Sequence, residues 1–266
     1  MPKASSKHPK PSKSAKMALN AKDRANVKKA RMIEQGVNNQ ETRRIKSSKR
    51  KSGAVLTDVA TAAHDTWSPD TIPSVPHMED TGLALLGEHL AGVRVYVEYG
   101  SGGSSVMVAQ AGVKRIYSVD SDKQFLKAVK QRLLNDGVPR RRYIAIYADI
   151  GPTREWGKPV DESHIKAWPN YCAAPWRKLL KTGERPDLVL IDGRFRVACF
   201  LITLLMAPRG CVILFDDYVN RPEYHVVERY LQPMRLAGRM AEFVVEPIAE
   251  PFAAMMDILK YSTESR

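Results

Sequence analysis

Five apolar runs of this 266-residue chain end on carboxylates: Glu98, Asp120, Asp149, Asp192, and the adjacent pair Asp216 and Asp217. Glu98 opens a glycine turn, Glu-Tyr-Gly-Ser-Gly-Gly, with Gly100, Ser101, Gly102 and Gly103 in succession. Glycines there let the backbone turn tightly and approach a ligand that a Cβ would hold off. Residues 104–111 read as a helix whose N-terminus faces that ligand, which suits a nucleotide-type cofactor. Asp192, Asp216 and Asp217 close two strands expected side by side, and three carboxylates so placed repel unless a cation or proton is shared. A hard divalent ion such as Mg²⁺ would relieve that repulsion through oxygen ligands. Arg194 and Arg196 would relieve it without a metal, or would hold an anionic substrate by bidentate hydrogen bonds.

These acids need strands to carry them. Val93, Val95 and Val97 alternate into the glycine turn, predicting a strand over 93–98. Further strands are expected at 115–119, 143–147, 188–191 and 211–215, the last two as continuous apolar runs covered on both faces. Helices are expected at 81–90, capped by Thr81, at 123–135 on a stripe of Phe125, Leu126, Val129 and Leu133, at 197–206, and at 223–235. Runs 240–246 and 253–260 would form an antiparallel pair at the sheet edge. Residues 150–185, with Trp156, Trp168 and Trp176, read as a long irregular insertion or lid, its aromatic residues suiting either a wall of the substrate site or simple packing. Strands alternating with helices imply right-handed crossovers and a mainly parallel α/β sheet of seven strands, with ligands beyond the carboxyl ends.

A hydride-transfer cofactor requires a third glycine where this chain has Ser105. Glu98-Tyr-Gly-Ser-Gly-Gly instead resembles the first motif of class I S-adenosylmethionine-dependent methyltransferases, over roughly residues 81–260. That resemblance implies a Rossmann-like methyltransferase fold. It implies that Gly100, Ser101, Gly102 and Gly103 approach the methionine end of S-adenosyl-L-methionine, that Asp120 accepts the ribose hydroxyls, and that Asp149 lies near the adenine amino group. Glu98 would face the cationic amino-acid end. Asp192-Gly193 together with Asp216-Asp217-Tyr218 is similar to metal-dependent O-methyltransferases of the macrocin and catechol type. By that likeness Asp192, Asp216 and Asp217 hold Mg²⁺, which lowers the pKa of a substrate hydroxyl, and O-methylation is favoured over N- or C-methylation. The catechol type has a lysine base three residues after the first aspartate; this chain has Phe195. Asp192, with Arg194 and Arg196 beside it, is therefore the first catalytic candidate, and His225 and His164 are secondary ones.

Charge divides the chain. Residues 1–53 hold 16 Lys and Arg against 3 Asp and Glu, whereas residues 54–266 hold 26 of each. The first segment lacks the apolar content to offset chain entropy and is expected to be largely disordered, with residues 17–35 a marginal helix. It reads as a solvated tail or as an arm for nucleic acid or another polyanion. Residues 54–80 read as a linker, followed by the methyltransferase-like domain at 81–266. No run reaches the length of a membrane span, and the chain is expected not to be a membrane protein. Cys172, Cys199 and Cys211 lack metal-ligand spacing, and Cys199 and Cys211 suit buried thiols in a reducing cytoplasm. The leading expectation is methyl transfer to a small-molecule or sugar hydroxyl. An RNA-modifying methyltransferase using the basic arm and a cofactor-binding module without turnover stay open beside it. Oligomeric state is not legible.

Overall fold

A computed structural model describes residues 67–265; the basic arm, the marginal helix at 17–35 and most of the linker lie outside the described residues. Seven strands form one sheet: β1 (Val95–Tyr99), β2 (Arg115–Asp120), β3 (Tyr143–Tyr147), β6 (Leu188–Ile191), β7 (Val212–Phe215), β8 (Arg235–Ala237) and β9 (Met240–Val244). A small separate hairpin pairs β4 (Thr153–Arg154) with β5 (Lys158–Pro159). The order across the main sheet is β3-β2-β1-β6-β7-β9-β8. The first five of these strands run parallel, and β9 pairs antiparallel with both β7 and β8.

β1, β6 and β7 sit at the centre, and β1 and β6 are buried along their full length. Their β-branched and aromatic residues therefore fill both faces, as a parallel sheet covered by helices requires. One apolar layer gathers Val97, Tyr99, Ile191, Phe200 and Phe215. The other gathers Leu86, Tyr96, Val106, Ile116, Val129 and Leu190. The covering helices are α1 (Asp80–His89), α2 (Gly103–Gln110), α3 (Lys123–Asn135), α4 (Pro169–Thr182), α5 (Arg196–Met206) and α6 (Pro251–Tyr261). All three cysteines are free and buried.

Four expected elements differ. The helix at 80–89 has Glu79, not Thr81, at its N-cap. The span 150–185 is not irregular throughout: it holds the hairpin and then α4, the crossover helix before β6. Trp168 and Trp176 are core residues, while Trp156 is 76% exposed. The expected helix at 223–235 is a 3-10 segment, Pro222–Arg229, and Arg235 already belongs to β8. The antiparallel edge pair exists, but its members are β8 and β9; residues 251–261 are helical.

Residues 67–79 are fastened to the sheet layer rather than loose. Ile72 is buried, and the Arg132 guanidinium on α3 donates to the Ile72 carbonyl at 2.6 Å and to Ser74 Oγ at 2.8 Å. This fastening brings Val75 over the start of α2, where the site lies.

Candidate functional site at the carboxyl ends of the strands

The parallel order brings the glycine turn after β1 between the ends of β2 and β6. Gly100 has φ +95°, a left-handed backbone that side chains resist, and a Cβ there would stand 3.1 Å from the Asp192 carbonyl carbon. Gly103 opens α2 beneath residue 75, where a Cβ would lie 2.4 Å from the Val75 carbonyl oxygen. Gly102, between them, is the α2 N-cap. The turn and the Asp192 strand end are thus in backbone contact.

Glu98 does not face the cleft. It is fully buried, and its carboxylate accepts from Ser104 Oγ at 2.7 Å, from Ser105 Oγ, and from the Tyr96 hydroxyl at 3.2 Å. Burial pushes its carboxyl up, and the serine and tyrosine hydroxyls oppose the rise. Ser105, the residue that stands where a third glycine was sought, also accepts from the Gly102 amide at 3.3 Å. Glu98 consequently positions the turn from below through the α2 serines.

Asp120 ends β2 facing the turn. Its Oδ2 accepts from the Ser101 amide at 3.0 Å and its Oδ1 from the Asp122 amide at 2.9 Å. Each oxygen of a carboxylate can accept twice, so acceptor capacity is left for hydroxyl donors. Burial raises this carboxyl to about 6, opposed by those amides. The Ser101 hydroxyl is tied to the Tyr143 hydroxyl at 2.8 Å. Asp149, past β3, is exposed and accepts from the Gly151 amide at 3.1 Å. The donor set therefore fits a nucleoside cofactor: a glycine cradle, a partly satisfied carboxylate beside it, and an exposed acid one strand further out.

The acids of β6 and β7 converge as expected. One carboxylate oxygen each from Asp192, Asp216 and Asp217 lies within 4.8 Å of the others. Three guanidiniums interleave them. Arg196 Nη2 stands 3.1 Å from Asp192 Oδ1 and 3.2 Å from Asp217 Oδ2. Arg221 lies 3.0 Å from Asp217 Oδ2. Arg239 lies 3.3 Å from Asp216 Oδ1 and 3.0 Å from Asp217 Oδ1. Arg196 is also stapled to backbone, donating to the carbonyls of Gly193 (3.0 Å), Asp216 (2.7 Å) and Asp192 (3.1 Å).

Three carboxylates and three guanidiniums already balance in charge. A hard divalent ion wants several free oxygens. Here both Asp217 oxygens are ion-paired with arginines, and both Asp216 oxygens accept from Arg239. The residues present do not fit a resident Mg²⁺ without displacing those arginines. Asp192 is the exception, with one oxygen outside any guanidinium bond and a side chain 28% exposed. Burial drives its carboxyl up to about 7; Arg196 opposes the rise, and Asp216 and Asp217 reinforce it.

The sequence pointed to Arg196 and to all three aspartates but not to Arg221 or Arg239, which follow from the turns after β7 and before β9. Nor did it mark Tyr171, whose hydroxyl accepts from the Arg194 amide at 3.4 Å on the floor of the cleft. Neither histidine reaches the acids by a hydrogen bond. His225 Nε2 bonds the Tyr218 carbonyl at 3.1 Å, and His164 Nδ1 bonds Ser163 Oγ at 2.8 Å.

No family model and no curated protein matches the chain. Among solved structures, a methyltransferase-like protein from Silicibacter pomeroyi is 35% identical, aligned over 73% of this chain and 100% of its own, with a TM-score of 0.63. The cofactor-bound Rv0187 from MTB is 19% identical over 75% of this chain and 95% of its own, with a TM-score of 0.43.

Proposed function

Because the chain belongs to the class I S-adenosylmethionine-dependent methyltransferases, we propose that it methylates a hydroxyl of a small molecule, with Asp192 as the base and no resident metal. The observation that carries this reading is the contact between the glycine turn and the Asp192 strand end. A Cβ at Gly100 would stand 3.1 Å from Asp192, so a methyl donor in the turn and an acceptor on Asp192 would share one cleft.

S-adenosyl-L-methionine, when bound, supplies an electrophilic methyl group on a sulfonium. Gly100, Ser101, Gly102 and Gly103 would cradle its methionine end, Asp120 its ribose hydroxyls, and Asp149 its adenine side. Asp192 then takes the proton of the acceptor hydroxyl. A base with a pKa near the working pH is best suited to that transfer, and burial holds Asp192 at about 7. Arg196 keeps its carboxylate oriented from the Oδ1 side and stabilises the ionised form. Val75 over Gly103 and Gly157 over Ser121 narrow access, which favours a small acceptor and alignment as the main source of rate.

Methyl-labelled S-adenosylmethionine offered with a panel of hydroxylated compounds tests this. Label on a hydroxyl oxygen is expected, with turnover at least a hundredfold lower for Asp192→Asn. Label on carbon or nitrogen alone, or an Asp192→Asn variant of full activity, contradicts it. A second reading rests on the excess of basic residues in 1–53: RNA as the acceptor, gripped through phosphate charge. It expects salt-sensitive RNA retention that disappears when those residues are removed.

A further inference from the structure

The two arginines that flank the cluster have separate fates. Arg196 is spent on Asp192, Asp217 and three carbonyls. Arg194 is just as deep, 7% exposed, yet no carboxylate among the described residues forms an ion pair with it. Its Nη2 donates to the Ser265 carbonyl at 3.1 Å, and its buried Nε has no hydrogen-bond partner among the described residues. A guanidinium offers five N–H donors, and a charge taken out of water without a counter-charge is strongly disfavoured. Its charged neighbours make matters worse: burial and the charges of Arg196 and Arg221 pull Arg194 below its ordinary value.

We infer that Arg194 is the receptor for an oxyanion, a carboxylate or phosphate, carried by the methyl acceptor. This rests on the reading of the cleft given above and adds the substrate class to it. The side chain is two residues past Asp192. It passes the Gly157 turn, with its Cδ 3.9 Å from where a Cβ of Gly157 would be. An acceptor whose hydroxyl reaches Asp192 would therefore lay its acidic group on Arg194. Charge complements on both counts: the anion meets a cation that has no carboxylate partner among the described residues, and the hydroxyl meets a carboxylate that Arg196 holds through Oδ1.

The test titrates inorganic phosphate and acetate separately into the full chain, with and without saturating S-adenosylhomocysteine, and reads thermal shift and calorimetric affinity. Wild type, Arg194→Leu and Arg194→Lys are compared. Expected is a saturable shift with one of the two anions, weakened at least tenfold in Arg194→Leu and partly kept in Arg194→Lys, while S-adenosylhomocysteine affinity changes less than threefold. Whichever anion binds names the acid group. Equal anion response in wild type and both variants, or none in wild type, overturns the inference. Loss of S-adenosylhomocysteine affinity in Arg194→Leu also overturns it, because Arg194 would then hold the cofactor's own carboxylate. If wild type binds no S-adenosylhomocysteine, the cofactor reading fails, and the titrations without it still decide on Arg194.

Discussion

At the scale of single residues, burial sets the chemistry. Asp192 and Asp120 ionise at about 7 and about 6 in the fold, against about 3.9 for an unfolded aspartate. Both bind protons more tightly folded than unfolded, so their contribution to stability falls as pH rises from about 4 through 7 and is constant above. Asp192→Asn removes one such loss. Its melting temperature relative to wild type is expected to be higher at pH 8 than at pH 4.5; a difference that is equal at both would show that Asp192 ionises normally. Methyl transfer by wild type is expected to rise with pH through about 7 and level off, as a base must lose its proton first. EDTA is expected to leave both cofactor affinity and turnover unchanged, since arginines already engage the oxygens of Asp216 and Asp217. A loss of turnover restored by Mg²⁺ would contradict that. The acids were legible because residue type and strand end coincide in the chain. Arg221 and Arg239 were not: each is one basic residue in a polar turn, and only the fold brings it to an acid.

At the scale of elements, the strands read correctly where they are buried on both sides, and the misreadings have physical causes. α4 carries Pro169 and Pro175, which read as loop. Pro169 occupies the first turn, where no N–H is needed, and the helix accepts Pro175 for the sake of its packing. Tyr171, Cys172, Trp176 and Leu179 bury one face of α4 against the sheet. α6 has apolar residues all round: Ala254 is buried, whereas Phe252, Met255, Met256 and Leu259 are exposed. With so many exposed apolar residues beside Pro251, it resembled one strand of an antiparallel edge pair. A buried relay fastens α4 to β1: Trp176 Nε1 donates to the Tyr99 hydroxyl at 2.8 Å, which donates to the Cys172 carbonyl at 2.7 Å. Tyr99→Phe leaves both partners unsatisfied and is expected to cost about 1–3 kcal/mol by denaturant unfolding. S-adenosylhomocysteine affinity should change less than threefold, because this relay lies behind the turn. A tenfold loss would mean that α4 shapes the cofactor cradle directly.

At the scale of the whole molecule, the parallel order β3-β2-β1-β6-β7 aligns the acid-bearing ends along one edge. That alignment sets Asp120, Asp149, Asp192 and Asp217 along the same edge, while Glu98 is buried beneath the glycine turn. Residues 54–266 carry equal numbers of acidic and basic side chains, so the cleft owes its character to local pairing, not to a general field. The measurement that bears most directly on this account is calorimetric titration of S-adenosylhomocysteine into the full chain in EDTA, for wild type and Asp120→Ala. One-to-one binding by wild type, weakened at least tenfold by Asp120→Ala, is expected. Absence of binding by wild type, or equal affinity in the two proteins, would contradict the assignment of the glycine turn and Asp120 as a methyl-donor site.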